Sequence, residues 1–436
     1  MRPNKLIALV TGVVLVIAAI VAFAATAAAR RGSAHLHQTS TATTSHTASG
    51  SDGHVNSPGI SAVAAGIGLR PGAVSPSAAG IATAQAAISS LTPLQLAGQR
   101  VIYSYNGMTP PARLFKLIKY GEVAGVIFFT NNVGKTAADL ANFKSVVREL
   151  QSANASQPNK ALSRLPLLLM TDQEGGLVRR LPGRPTRSEK QIGEISPLSA
   201  AKAAASSAGS GAASNLRSFG LNVNLSPVLD VYRTPGNFID EFQRSFSSNP
   251  RVVAVLGAAF ASAEQSGGIG ATVKHFPGLG AAATRQDTDE RPVTLNLPLS
   301  AIRSIDELPY KSAVAAKVKL AMVSWALYPA LDKKYPAGLS SAIVQGELRK
   351  RLGFAGVTIT DALEAGALKN FGSIANRSTL AARAGMDLLL CAEGDYIEGY
   401  NATHALANDY TGHVLNASAF KAAAERVMAL RATLPG

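Results

Sequence analysis

Lys274-His275-Phe276-Pro277-Gly278-Leu279-Gly280 is a basic pair at the end of an apolar run that breaks directly into a Gly/Pro loop. A second stretch, Gly356-Val357-Thr358-Ile359-Thr360-Asp361, sets a single acid at the tip of another apolar run. Between them lies the acid-rich segment Asp287-Thr288-Asp289-Glu290. Buried parallel strands otherwise read as plain Val/Ile/Leu runs. Polar residues gathered at several strand ends are how a barrel enzyme assembles a site on its C-terminal face.

Outward from these stretches, short apolar runs recur at 123–129, 165–171, 221–229, 271–275, 320–326, 357–360 and 386–391. Ala-rich, helix-favouring stretches such as 199–219 and 250–267 alternate with them. Seven or eight strand-helix units over about 340 residues predict a (β/α)8 TIM-type barrel in a single α/β domain, residues 91–436. Thr92 and Pro93 supply a helix cap and first turn where that domain is expected to begin. The structural rival is an open doubly wound sheet with a nucleotide. It needs a Gly-rich phosphate loop after the first strand, and Thr130-Asn131-Asn132-Val133-Gly134-Lys135 matches neither fingerprint.

Ahead of the domain, Arg2 and Lys5 precede a charge-free apolar run from Leu6 to Ala29. Residues 1–31 therefore read as an export signal, either cleaved or retained as a membrane anchor, since the run is long enough to span a bilayer. Residues 32–90 are rich in Ser, Thr, Ala and His and read as a flexible spacer. Its histidines, at 35, 37, 46 and 54, lack the regular spacing of a metal site. The lone Cys391 excludes an internal disulfide, and its apolar surroundings predict a buried, inert thiol. Net charge is +15, and 37 basic and 26 acidic residues follow Ser90. With export, such a balance suits solubility or attraction to an anionic cell envelope better than nucleic acid.

Acids stand where the apolar runs stop: Asp172 with Glu174, Asp230, Asp287 with Asp289, and Asp361. Asp361 has no adjacent base, so it suits attack on an anomeric carbon; the bland alternative is an N-cap for a helix starting near Ala362. Lys274, His275, Arg180 and Arg244 are the complementary donors. In Asp172-Gln173-Glu174-Gly175-Gly176 the glycine pair allows close backbone approach to a ligand. An acid beside basic donors can hydrogen-bond vicinal hydroxyls, although each charge alone also fits a structural ion pair.

Together these segments resemble the family-3 glycoside hydrolases, and within them the single-domain bacterial β-N-acetylhexosaminidases that trim peptidoglycan fragments. The similarity rests on Asp172-Gln-Glu-Gly-Gly, Asn224-Leu-Ser-Pro-Val-Leu-Asp230, Arg244-Ser-Phe, Lys274-His-Phe-Pro-Gly, Tyr328-Pro-Ala-Leu-Asp332, the segment ending in Asp361, and Ala384-Gly-Met-Asp387. It implies a retaining mechanism with Asp361 as nucleophile, and Asp172, Arg180, Arg244, Lys274 and His275 holding the terminal sugar. It implies no metal and no organic cofactor, and a carbohydrate partner; with the N-terminal apolar run, the expectation is an exported monomer, extracellular or anchored at the outer face of the cytoplasmic membrane. The sequence departs from that family where Asp-Ser-His is usual: it reads Asp287-Thr288-Asp289, without the acid/base histidine. Leu177 also replaces a frequent arginine, and Trp325 a frequent histidine. A carboxyl can replace the imidazole only if its pKa is raised, which makes Asp289 the expected acid/base, with Asp287 next and Glu290 third. The alternative is a sugar-binding protein that has kept the pocket and lost its acid/base.

Overall fold

A computed structural model describes residues 87–436. The segments read as export signal and most of the spacer lie outside the described residues. In chain order the strands are β1 (Val101–Tyr103), β2 (Gly125–Ile127), β3 (Leu168–Thr171), β4 (Gln173–Gly175), β5 (Val178–Arg179), β6 (Val223–Asn224), β7 (Gly270–Phe276), β8 (Leu320–Val323), β9 (Val357–Ala362) and β10 (Leu388–Leu390). Eight of them close a parallel barrel, β1-β2-β3-β6-β7-β8-β9-β10 and back to β1. β4 and β5 form a separate antiparallel hairpin directly after β3.

The apolar runs have no polar alternation because both faces of each strand are buried. In β3, Leu168 and Met170 belong to the barrel interior with Ile102, Ile127, Val223, Met322, Ile359 and Leu388. Leu167 and Leu169 face the outer layer, where helices cover the strands. The longest of those helices are Ala137–Ala155, Leu198–Ser218, Pro250–Ser266, Tyr396–Thr411 and Ala417–Arg431. Val427, Leu430 and Leu434 of the last helix and its tail close the interior from the other end.

Thr92 caps the helix Pro93–Gly98 as expected, its hydroxyl accepting from Gln95 N–H. Packing starts slightly earlier, since Ala87 and Ile88 are already buried in the core. The strand missing from the sequence reading is β1, whose three residues fall below any periodic signal. The run 221–229 yields only a two-residue strand, because Pro227 has no N–H to extend the ladder. Its chain still follows β7 through the Val228–Lys274 bridge.

Candidate active site

Parallel strands send all their C-terminal ends to one face, and the sequence-singled acids and bases emerge there. Asp172 follows β3, Lys274 and His275 lie at the C-terminal end of β7, and Asp361 lies in β9. Arg244 comes from the loop after the short helix Phe238–Glu241, where Gln243 takes a left-handed conformation and bonds to Ser188 Oγ.

One half of the site is a buried ion-pair cluster. Lys274 Nζ lies 2.7 Å from both Asp172 Oδ1 and Glu174 Oε1. Arg244 closes a two-pronged pair on Glu174, with Nε to Oε2 at 3.0 Å and Nη2 to Oε1 at 2.9 Å. Arg244 Nη2 also donates to His275 Nε2 at 3.4 Å, which leaves Nδ1–H to donate to Asp230 Oδ2 at 2.7 Å. Asp230 Oδ1 in turn accepts from the backbone of His275 and Leu279 at 3.3 and 2.6 Å. Burial alone would raise the Asp172 carboxyl, but Lys274 and Arg180 outweigh it and hold it down at about 2. Glu174 and Asp230 are likewise kept below the usual carboxylate range: burial opposes this, and Arg244 with Lys274 overcomes it for Glu174, His275 for Asp230.

Arg180 is looser. Its Nε stands 3.8 Å from Asp172 Oδ2 and is buried with no hydrogen-bond partner among the described residues. Glu174 and Asp230, strand-end acids to which sequence reasoning gives no role, are the anchors of this cluster. Their signal was position; their partners, 70 and 45 residues away in sequence, were not legible.

The other half of the site is Asp361 and the acid loop. Asp361 Oδ1 accepts from the adjacent Ala362 N–H at 2.9 Å, and β9 continues through Ala362, so no helix starts there and the cap reading is excluded. Indole Nε1 of the buried Trp325 donates to Ala362 carbonyl at 2.8 Å and braces the end of β9. The acid loop docks on the segment beyond: Gly366 N–H donates to Asp289 carbonyl at 2.7 Å and Ala367 N–H to Thr288 carbonyl at 3.0 Å.

Within that loop the acids are sorted. Asp287 Oδ1 accepts from Asp289 N–H at 2.8 Å and shapes the turn, while Glu290 pairs with exposed Arg291 at 2.7 Å. Asp289 is exposed, but crowding around its carboxyl and the neighbouring charges push it up to about 7. Loss of hydration in the crowded mouth comes first, then the charges of Asp361 and Asp287, with Arg244 opposing. Asp287 is also raised, again by burial first.

The glycine pair departs from expectation. Gly175 (φ +113) and Gly176 (φ +55) approach protein, not ligand: a Cβ would meet Arg187 carbonyl at 2.3 Å and Ser188 Cβ at 2.4 Å. Leu177 sits at the hairpin tip, 64% exposed. Two other motif residues are framework. Tyr328 hydroxyl donates to Gly278 carbonyl at 2.9 Å under the Lys-His loop. Asp387 precedes β10 at the opposite end of the strand, paired with Arg349 and Arg426 at 2.5 and 2.8 Å. A cleft of about 600 Å³ beside Ser214 and Arg217 lies on the outer helices, away from these acids and bases.

The profile of the glycosyl hydrolase family 3 N-terminal domain matches residues 95–430. The chain belongs to glycosyl hydrolase family 3. It is 45% identical over 339 residues to an uncharacterized secreted glycosyl hydrolase of Arthroderma benhamiae, covering 78% of this chain and 93% of that one. It is 31% identical to beta-hexosaminidase A of Pseudoalteromonas piscicida, with 81% of this chain matched to 63% of that protein's length. Among solved structures, a family 3 β-N-acetylglucosaminidase from Paenibacillus superposes with a TM-score of 0.72 at 32% identity, over 80% of this chain and 64% of that one. The β-N-acetylhexosaminidase of Beutenbergia cavernae does so with 0.69 at 28% identity, over 79% and 99%. The barrel is thus the family's catalytic fold, and the chain is a glycoside hydrolase resembling the β-N-acetylhexosaminidases. Among the described residues no helix is long and apolar enough to cross a membrane.

Proposed function

We propose that this exported hydrolase removes terminal β-linked N-acetylglucosamine, with peptidoglycan fragments as its substrate, by a retaining mechanism in which Asp361 is the nucleophile and Asp289 the acid/base. The observation carrying the proposal is that the acid loop docks on Gly366 and Ala367, on the segment that follows Asp361, where the charges of Asp361 and Asp287 help to push the Asp289 carboxyl up to about 7. An acid so tuned can give its proton to the leaving oxygen near neutral pH, the task that the absent histidine would perform.

The two half-reactions follow from the charges. Asp361 attacks the anomeric carbon while Asp289 protonates the departing oxygen, giving a covalent glycosyl-enzyme. Esterified Asp361 no longer carries its charge, so one of the forces raising Asp289 disappears and the aspartate becomes a better-ionised base. It then takes a proton from the water that releases the sugar. The cluster of Asp172, Arg244, Lys274 and His275 holds the sugar hydroxyls, and Arg180 offers its unpartnered Nε to the same ring. The relatives named as β-hexosaminidases support the sugar, and the apolar N-terminal run supports export to the cell wall or the outer face of the membrane.

Two variants test the assignment. Asp361→Ala should abolish turnover of every glycoside. Asp289→Ala should lower kcat/KM of substrates with poor leaving groups by about 10²–10⁴-fold while sparing kcat/KM of activated aryl glycosides, which need little protonation, and their kcat should fall because release of the covalent sugar still needs the base. Wild-type kcat/KM on poor leaving groups should fall as pH rises through about 7, where Asp289 loses its proton. Equal effects of Asp289→Ala on both substrate types would assign the proton to another group.

A further inference from the structure

Two asparagines with the same chemistry flank Val223, and only one of them reaches the site. Asn222, just before β6, accepts from Leu169 N–H at 2.9 Å and donates to Leu167 carbonyl at 2.8 Å, at the start of β3. Asn224, at the end of β6, accepts from Gln173 N–H at 2.9 Å and donates to Gln173 carbonyl at 3.1 Å. Both are buried. The paired registers of β3 and β6 end at Thr171 and Asn224, with Leu225 N–H bonded to Thr171 carbonyl at 3.0 Å. Asn224 thus adds, by its side chain, the next rung of that ladder.

The added rung falls between the two acids of the ion-pair cluster. In extended chain, residues i and i+2 project to one face. Asp172 and Glu174 do so, each 2.7 Å from Lys274 Nζ. The Gln173 side chain bonds instead to Leu181 N–H and to the carbonyls of Leu181 and Arg184. One clamped residue therefore aims both carboxylates. The clamp has a support of its own, since Asn224 Nδ2 also donates to Glu264 Oε1 at 2.7 Å, from the helix Pro250–Ser266. Two acceptors on the nitrogen side and one donor on the oxygen side leave the amide a single orientation.

We propose that Asn224 is a positioning residue for sugar binding: by holding Gln173 at both its N–H and its carbonyl, it aims Asp172 and Glu174 at Lys274 and sets the geometry in which this cluster receives the sugar hydroxyls. Glu264 acts behind it by fixing the amide. The inference rests on the sugar-holding role given above to the cluster.

The test uses the full chain, N-acetylglucosaminides with a good and a poor leaving group, and free N-acetylglucosamine as competing ligand. The cluster meets the sugar before and during the reaction. Asn224→Ala should therefore raise KM and the inhibition constant of N-acetylglucosamine together, by about 10–100-fold, the scale of a roughly 1 Å misplacement. The loss should be the same for both leaving groups. Asn222→Ala removes the same kind of clamp from the same strand, so it should lower the melting temperature comparably yet leave KM and inhibition unchanged. Asp172→Asn combined with Asn224→Ala should lose less than the product of the single losses. If Asn224→Ala does not fold, Glu264 decides the matter. Glu264→Met should raise KM by about 2–10-fold, the worth of one hydrogen bond, and Glu264→Gln, which keeps an acceptor, should not. The positioning role is overturned by a folded Asn224→Ala with unchanged KM, by equal KM effects of Asn222→Ala and Asn224→Ala, by losses that multiply with Asp172→Asn, or by a Glu264→Met that matches Glu264→Gln. No turnover by the wild type would overturn the glycosidase reading instead, and calorimetric binding of N-acetylglucosamine, weakened in Asn224→Ala but not in Asn222→Ala, would still judge the clamp.

Discussion

Glu174 binds Lys274 and Arg244 at once, and neither cation has another carboxylate so close to replace it except Asp172 beside Lys274. Glu174→Gln therefore strands positive charge in a buried place. Urea unfolding should register a loss of about 3–5 kcal/mol, the cost of breaking a buried pair by removing one partner. Arg180 makes the contrasting case, since its guanidinium is a third exposed and its Nε unpaired. Arg180→Ala should raise KM while changing stability by no more than about 1 kcal/mol, as for an exposed ion pair.

The elements that the proposed mechanism uses most are the exit of β9 and the acid loop laid against it. Gly366 permits that contact: a Cβ there would stand 2.1 Å from Glu290 carbonyl, a backbone atom that cannot swing aside. Gly366→Ala should push the loop off and cost about 1–3 kcal/mol, as overpacking does. It should also slow poor leaving groups more than activated ones. Steady-state kinetics on both substrate types, with a thermal melt, would check this; unchanged kinetics would mean that the loop needs no such dock. Trp325 braces the same exit from β8, filling the place where the family often has histidine with an indole that donates to Ala362 carbonyl.

At the scale of the whole barrel, carboxyls shifted in opposite directions shape the pH dependence of stability. Asp172 is depressed from 3.8 to about 2, so its contribution is present above the ordinary carboxylate range and lost as pH falls toward 2. Glu264 is fully buried, accepts from Asn224 Nδ2 at 2.7 Å, and is raised far above 4.5, chiefly by burial. Folding takes up its proton, so its contribution is full below that range and declines as pH rises. Glu264→Gln keeps the acceptor without the proton. Relative to the wild type it should gain about 1–3 kcal/mol between pH 5 and pH 8, flattening the alkaline slope of the melting temperature.

The sequence by itself determined the barrel, because strands buried on both faces must be apolar throughout and only their tips can carry charge. It also singled out the charged tips: Asp172, Lys274, His275 and Asp361 all emerge on the C-terminal face. It missed β1, too short to be periodic, and misread the glycine pair, whose neighbours are residues 187 and 188. Tertiary structure alone decided the partners. Glu174 and Asp230 became the supports of Arg244 and His275, and Asp387 became framework by standing at the other end of its strand. Among the acids of the loop, only closure of the barrel brought Asp289 against the charge of Asp361. A pKa depends on what lies within a few ångströms in space, and for these residues those neighbours come from distant stretches of chain.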